Sequence, residues 1–320
     1  MYAIGIDLGA TNVRVALSDP DGHFLSNVKE ITEKSGSLEL IDQIGGMVDG
    51  VIHGSGAGLE EVVGIGIGSV GPLDIRRGTA SPTNLPFGKI PLVGSISDRF
   101  HLPVYLLNDC NAAALGEKWF GIAGGRENFA YITLSSGVGG GVFVNGKLLL
   151  GKDGNAAEIG HFTIDMDQKL RCGCGKWGHW EAYCSGVNIP KFVGYWIAKM
   201  GWREEDSSIV ALSRAGDLTA KCLFQMAQND SLALKIVREI GRLNAIGFAS
   251  IIDAYDPSLI TVGGAIALNN EHLTLDPIRE GVGEHARNAL PEIMLTPLGS
   301  DVVLYGAVAL ALHHEEADEK

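Results

Sequence analysis

Residues 158–184 read EIGHFTIDMDQKLRCGCGKWGHWEAYC, and within them His161, Cys172, Cys174 and His179 follow the spacing H-x10-C-x-C-x4-H. Two thiolates and two imidazoles form the tetrahedral donor set of a structural zinc site, closed because four protein ligands leave no open position. Glycines at 173, 175 and 178 let a short loop wrap an ion. The same residues also suit a reduced, glycine-rich surface loop; the donor set favours the metal. Glu158 and Glu181 flank the cluster. Carboxylates fixed beside a rigid loop accept hydrogen bonds from ligand hydroxyls, although surface glutamates need no such role.

Three polar, glycine-rich turns follow strand-like runs. The first is Asp7-Leu8-Gly9-Ala10-Thr11-Asn12, after YAIGI at residues 2–6. A turn of this kind aims backbone N–H groups at a phosphate, Thr11 and Asn12 add side-chain hydrogen bonds, and Asp7 at the strand end suits a hydrated Mg²⁺. The second, residues 135–141, reads Ser135-Ser136-Gly137-Val138-Gly139-Gly140-Gly141 and offers the same chemistry. The third is Gly263-Gly264, between SLITV and an apolar, helix-like stretch, an order that suits a nucleotide over a helix N-terminus. Any one of these alone is an ordinary tight turn; three in this order point to phosphate. Gly66-Ile67-Gly68-Ser69-Val70-Gly71 matches G-x-G-x-x-G, but Pro72 follows and no helix pattern begins there, so it is not read as a dinucleotide fingerprint.

Asn108-Asp109 stands where the strand-like PVYLL meets the helix-like AAALGEKWF. Both residue types are favoured helix caps. With a phosphate held nearby, an aspartate at this strand end can also take the proton of an attacking hydroxyl.

The elements that must carry these residues show a repeat. Strand, polar turn and strand occur at residues 4–17 and again at 131–144, and Asn145-Gly146 adds a hairpin signal. The pattern reads as an internal duplication in an α/β protein. The chain of 320 residues is long enough for two domains, each with its own core. Its 25 basic and 38 acidic residues leave a net charge of −13, which repels a nucleic-acid backbone and argues against such a partner. Five cysteines are too few and odd in number for a disulfide framework. The longest apolar candidate, residues 245–268, is broken by Asp253 and Asp256, so no uninterrupted run approaches the about 20 residues a membrane helix needs. The start, MYAIGIDLGA, lacks the signature of a secretion signal. A cytoplasmic protein without membrane partners is expected.

Taken together, DLGATNVRVAL (7–17), GIGSVGPLD (66–74), SPTNLP (81–86), LNDCNAAALGE (107–117), TLSSGVGGGV (133–142), EIGH (158–161), CGCGKWGHWEAYCSG (172–186) and DPSLITVGG (256–264) resemble the sugar kinases of the ROK family, part of the actin-like ATPase and hexokinase superfamily. The resemblance covers essentially the whole chain. It implies an α/β fold of two ribonuclease-H-like domains around a central cleft. The expected division is 1–115 with the C-terminal helix 303–320 as one domain, and 116–302 as the other. It implies ATP and Mg²⁺ as co-substrates, with phosphoryl transfer to a sugar at the 6-hydroxyl, glucose first and an N-acetylhexosamine second.

By position, Asp109 matches the catalytic base. Asn108, Glu158, His161 and Glu181 match sugar ligands, and Gly71, Thr83 and Asn84 fall in segments lining the sugar site. His161 then serves sugar and zinc with one ring nitrogen each. The family pattern carries a third cysteine where His179 stands here, a donor zinc also accepts, and Gly-Thr is common where Ser135-Ser136 occur. The resemblance further implies a homodimer or homotetramer. A sugar-responsive regulator on the same fold carries a DNA-binding segment ahead of the first turn, and Asp7 lies too near the start to leave room for one.

Overall fold

The computed structural model describes residues 1–82 and 84–314. Thr83 and residues 315–320, the end of the expected C-terminal helix, lie outside the described residues. The chain opens with β1 (Tyr2–Leu8), β2 (Asn12–Ser18) and β3 (Phe24–Ile31), then α1 (Ser37–Ser55) and β4 (Val62–Ser69). A small hairpin, β5 (Leu73–Asp74) and β6 (Thr79–Ala80), precedes α2 (Leu92–Phe100), β7 (Val104–Asn108) and α3 (Asp109–Trp119). The pattern restarts with β8 (Phe129–Leu134), β9 (Val138–Val144) and β10 (Lys147–Leu148). Helices follow: α4 (Glu181–Cys184), α5 (Ile189–Met200), α6 (Ser208–Ala215), α7 (Ala220–Met226) and α8 (Ser231–Tyr255). The remainder is β11 (Leu259–Gly263), α9 (Ala265–Asn269), α10 (Glu271–Gly281), β12 (Glu292–Leu295) and α11 (Val302–Leu312).

The duplication is realised as two five-stranded sheets of matching order, β3-β2-β1-β4-β7 and β10-β9-β8-β11-β12. In the first, β1 pairs antiparallel with β2 and parallel with β4. In the second, β11 runs parallel to β8 and β12. The chain falls into two compact units. One comprises Met1–Glu127, Gly141–Ala157 and the chain from Thr296 on; the other comprises Asn128–Gly140 and Glu158–Leu295.

In the first unit, β1 is buried along almost its whole length. Ile4, Ile6 and Leu8 join α1 residues Leu40, Ile44, Met47 and Val48 in one core. The alternate residues face α11, an element apolar all round and buried accordingly. Glycines stand where that helix comes within backbone distance: a Cβ on Gly5 of β1 would lie 2.8 Å from the Leu304 carbonyl oxygen, and one on Gly66 of β4 would lie 1.9 Å from that of Ala307. On α11 itself, a Cβ on Gly306 would lie 1.6 Å from the Ala112 oxygen of α3. The G-x-G-x-x-G match at residues 66–71 thus has a packing cause, and β4 leads into the β5–β6 hairpin rather than a helix.

In the second unit, β11 is buried throughout, as a strand covered on both faces must be. The apolar run 245–268 divides into the end of α8, β11 and the start of α9. Among the described residues no helix is long and apolar enough to cross a membrane. The helix expected after Gly264 is only five residues long. Asn145 and Gly146 both have positive φ, 52° and 74°, as a type I′ hairpin requires.

The α3–α11 contact generates a test. Gly306→Ala has no open space for its methyl and must push two helices apart. The expected loss is about 3 kcal/mol of stability, read as a lower urea midpoint at unchanged slope.

Candidate functional site

The first turn is a tight hairpin closed by the Gly9 N–H donating to the Asn12 carbonyl oxygen at 3.0 Å. Thr32, just past β3, holds it from the side: its N–H donates to Thr11 O at 3.0 Å and its hydroxyl to Gly9 O at 2.8 Å. Ala10 and Asn12 are half-buried, and the Thr11 side chain is open to solvent. Asp7 is buried beneath this turn, directly across the ladder from Arg14 on β2. The Arg14 Nε donates to Asp7 Oδ2 at 2.8 Å, and Nη2 donates to the same oxygen. The Arg14 Nη1 donates to Ser300 O at 2.6 Å and to Asp301 Oδ1 at 2.7 Å, at the N-terminus of α11. Burial raises the Asp7 pKa, and the Arg14 guanidinium opposes that rise.

Asn108 ends β7 and caps α3, its Oδ1 accepting the Cys110 N–H at 2.9 Å. Asp109 Oδ1 accepts the same N–H at 2.8 Å. Capping is therefore real at this step, and it orients both side chains at a strand end. Gly71 adjoins them; a Cβ there would lie 3.7 Å from Asn108 Nδ2. The Ser81 N–H donates to Pro72 O at 2.9 Å, fastening Ser81 to the residue after Gly71. Asn84 is exposed.

In the second unit, the turn after β8 closes on itself through the Ser135 N–H donating to Gly137 O at 3.0 Å. Outside groups complete its support. The Gly186 N–H donates to Ser135 O at 2.7 Å, and the Val187 N–H to Ser136 O at 3.3 Å. The Val138 N–H donates to Glu181 Oε2 at 3.2 Å. Gly263 pairs with Thr133 across β11 and β8. Gly264 has φ 87°, and a Cβ there would lie 2.5 Å from Leu134 O. The glycine pair thus lies against the base of the Ser135–Ser136 turn. With α9 a helix of barely more than one turn, its contribution is close backbone approach rather than a long helix dipole.

The four metal candidates gather as their spacing suggests. The ligand atoms of His161, Cys172, Cys174 and His179 all lie within 4.8 Å of one another. Cys172 Sγ is 3.8 Å from His161 Nδ1, and Cys174 Sγ is 3.3 Å from His179 Nδ1. Zinc–sulfur and zinc–nitrogen bond lengths at a tetrahedral angle give an S···N edge of about 3.5 Å, so the set fits that ion. Gly175, at φ 88°, turns the loop, its N–H donating to Cys172 O at 2.9 Å. Burial, with the neighbouring His161, lowers the His179 pKa and favours the neutral imidazole that a metal requires. Burial pushes the Cys172 thiol up to about 12, so metal binding there must expel a proton.

His161 points its other nitrogen elsewhere: Nε2 is 3.7 Å from Glu158 Oε2. Half of the Glu158 side chain remains open to solvent, yet the surrounding protein removes enough water to raise its pKa; His161 opposes the shift and Glu181 adds to it. Glu181 Oε1 lies 3.5 Å from Cys172 Sγ. The carboxylates of Glu158 and Glu181 therefore stand on two sides of one imidazole–thiol cluster. Between His179 and Glu181, Trp180 is fully buried, its Nε1–H donating to Asn244 Oδ1 of α8 at 2.8 Å.

The ROK family profile matches residues 3–314. The chain belongs to the ROK family. It is similar to the glucokinase of Pyrobaculum calidifontis, 36% identical over 319 residues that cover 99% of this chain and 97% of that protein. Its fold is similar to the ROK hexokinase of Thermus thermophilus, with a TM-score of 0.84 and 29% identity over 99% of this chain and all of that one. It is also similar to a ROK family glucokinase from Streptomyces griseus solved with glucose and AMPPNP, with a TM-score of 0.80 and 31% identity over 98% and 99% of the two chains. The α/β fold of the actin-like ATPase superfamily, read from the sequence, is the fold of this ROK protein.

Sequence reasoning missed several residues of this ROK chain that the site leans on. Arg14 lies inside the first motif without an assigned role, and only the β1–β2 register reveals it opposite Asp7. Thr32 and Asp301 are far from the motifs they brace. Trp180 carried a signal, a large apolar side chain set between a metal candidate and a glutamate.

The Asp7–Arg14 pair yields a pH-dependent expectation. Arg14→Met leaves a buried carboxylate without its counter-charge and costs about 3 kcal/mol at pH 7. Without the guanidinium the folded-state pKa of Asp7 rises further, so the loss shrinks as pH falls and the carboxyl takes up a proton. Urea unfolding at pH 7 and pH 5 checks both the size and the direction.

Proposed function

We propose that the chain is a glucokinase that transfers the γ-phosphoryl group of ATP to the 6-hydroxyl of glucose. The observation that carries this reading is the Asn108–Asp109 step at the end of a buried strand, in a chain that matches a glucokinase over its full length. Asp109 accepts the proton of the 6-hydroxyl as its oxygen attacks phosphorus. Asn108, Glu158, His161 and Glu181 hold the sugar hydroxyls, with Gly71, Thr83 and Asn84 along the same site. Backbone N–H groups of Ala10, Thr11 and Asn12, and of Ser136 and Gly137, receive the phosphates, in turns that the Gly9 and Ser135 N–H groups hold closed. Gly263 and Gly264 admit the nucleotide close to the main chain.

Asp7 would hold Mg²⁺, and that ion, when bound, would neutralise phosphate charge. His161, Cys172, Cys174 and His179 would hold a structural zinc, which would tie down the loop that carries the sugar ligands. His161 meets sugar through the nitrogen that faces Glu158 and metal through the one that faces Cys172, a division supported by the two distances on either side of the ring. Most of the rate enhancement comes from positioning and electrostatics, as in phosphoryl transfer generally.

The first test is ADP release from Mg·ATP over a panel of glucose, mannose, N-acetylmannosamine and N-acetylglucosamine. Strong stimulation by glucose supports the reading; stimulation by an N-acetylhexosamine alone moves the assignment to that sugar, and none by any of them removes the kinase assignment. Asp109→Asn is expected to lower turnover by about a thousandfold while glucose still binds. Near-normal turnover in that variant contradicts the role given to Asp109.

Metal content provides a separate check. The purified protein is expected to carry zinc, Cys172→Ser to lose it, and His179→Cys to keep it. Chelation should lower the melting temperature and weaken glucose binding. An equally stable, equally tight-binding protein without zinc is the contrary result.

A further inference from the structure

We infer that Glu181 and helix α4 position the second phosphate turn as well as the sugar, so that the Cys/His loop tunes nucleotide binding even when no sugar is present. The inference rests on the proposed role of residues 135–137 as a phosphate turn. Among the described residues that turn closes on itself through the Ser135 N–H to Gly137 O bond, and main-chain support also comes from the segment that follows the metal loop. Glu181, the first residue of α4, accepts the Val138 N–H through Oε2. Gly186 and Val187, just past the end of α4, donate to Ser135 O and Ser136 O. A helix of four residues moves as one body, so these three bonds act together.

The other end of the same body is tied to the cluster. The Ala182 N–H donates to His179 O at 3.0 Å, and Glu181 Oε1 lies 3.5 Å from Cys172 Sγ. One carboxylate thus spans a metal candidate and the N–H of Val138, the residue that follows the phosphate turn. Val138 is held on its other side too: a Cβ on Gly160 would lie 2.0 Å from the Val138 carbonyl oxygen, which fixes the Glu158–His161 turn against the same residue. A shift of the loop therefore reaches the phosphate turn by two routes that meet at Val138. The Ser136 side chain is exposed and Ser135 only half-buried, so the turn's geometry is set from behind by these bonds rather than by its own packing.

The test measures the dissociation constant of Mg·AMPPNP by calorimetry with no sugar in the cell. A group that only touches sugar leaves this number unchanged. Glu181→Ala removes a charged acceptor from the Val138 N–H and is expected to weaken nucleotide binding about tenfold. Glu181→Gln keeps an amide oxygen for that N–H and is expected to stay within about threefold of the wild type, while glucose binding falls. Chelating the metal should weaken nucleotide binding in the wild type and do so less in Glu181→Ala, because the link is already cut.

Wild-type affinity in folded Glu181→Ala overturns the inference. If that variant does not fold, the chelated wild type decides: unchanged nucleotide affinity in a protein that has lost its metal and kept its circular dichroism is equally fatal. Wild-type protein that binds no nucleotide defeats the phosphate reading of the turn, and the inference falls with it.

Discussion

Backbone lies directly on backbone in both units, with no room for a Cβ between, and the geometry of the site follows from that constraint. In the first unit, Gly306 meets the Ala112 carbonyl and Gly66 meets the Ala307 carbonyl. These approaches set how deep α11 sinks toward β1, β4 and α3, and so where its N-terminal residues arrive. Ser300 and Asp301 arrive at Arg14, and Arg14 in turn neutralises Asp7. In the second unit, Gly160 meets the Val138 carbonyl, and Gly264 meets that of Leu134. A composition with 44 glycines invites a reading in terms of phosphate turns; several of them instead hold the elements at the distance from which the turns can act.

Much of this was open to reading from the residues alone. The strand–turn–strand repeat is local, with short apolar runs and turn residues in fixed places, so the duplicated sheets could be anticipated. The metal candidates lie within nineteen residues of one another on a loop punctuated by glycine, and a short loop leaves them few ways to be apart. Bonds between distant residues could not be read. Arg14 and Asp301 are 287 positions apart, Trp180 and Asn244 are 64 apart, and Val138 and Glu181 are 43 apart. No pattern of spacing encodes such pairs; they follow only from the way helices lie on sheets. The G-x-G-x-x-G match shows the same limit from the other side, since its first two glycines answer to a helix more than 230 residues away in the chain.

The cluster around His161 shows how one side chain can stand between two environments. Its Nδ1 faces sulfur and its Nε2 faces a carboxylate. A metal on Nδ1 leaves the proton on Nε2, where Glu158 or a ligand oxygen can accept it. The tautomer is then set by the structural side of the ring and expressed on the ligand side. Histidine in place of a third cysteine preserves this arrangement, because neutral imidazole and thiolate occupy the same corner of a tetrahedron. In a metal-bound site it would also lower the net negative charge beside Glu158 and Glu181.

Taking part of the water from Glu158 has an energetic cost, visible in its raised pKa, to which the nearby Glu181 adds and which His161 opposes. A second cost lies in the backbone: Ala157, immediately before Glu158, has φ 60°, a left-handed conformation that disfavours any residue with a Cβ by about 1 kcal/mol. Such a conformation persists only when the neighbours determine it. Here Ile159 is fully buried and Gly160 is locked against Val138, so the chain has no freedom to relax after Ala157. The same packing that keeps the turn rigid keeps Glu158 at the surface, half-open to solvent and facing His161. Strain in the main chain and partial desolvation of the carboxylate thus share one cause, the close seating of residues 159–160 on the end of the phosphate turn.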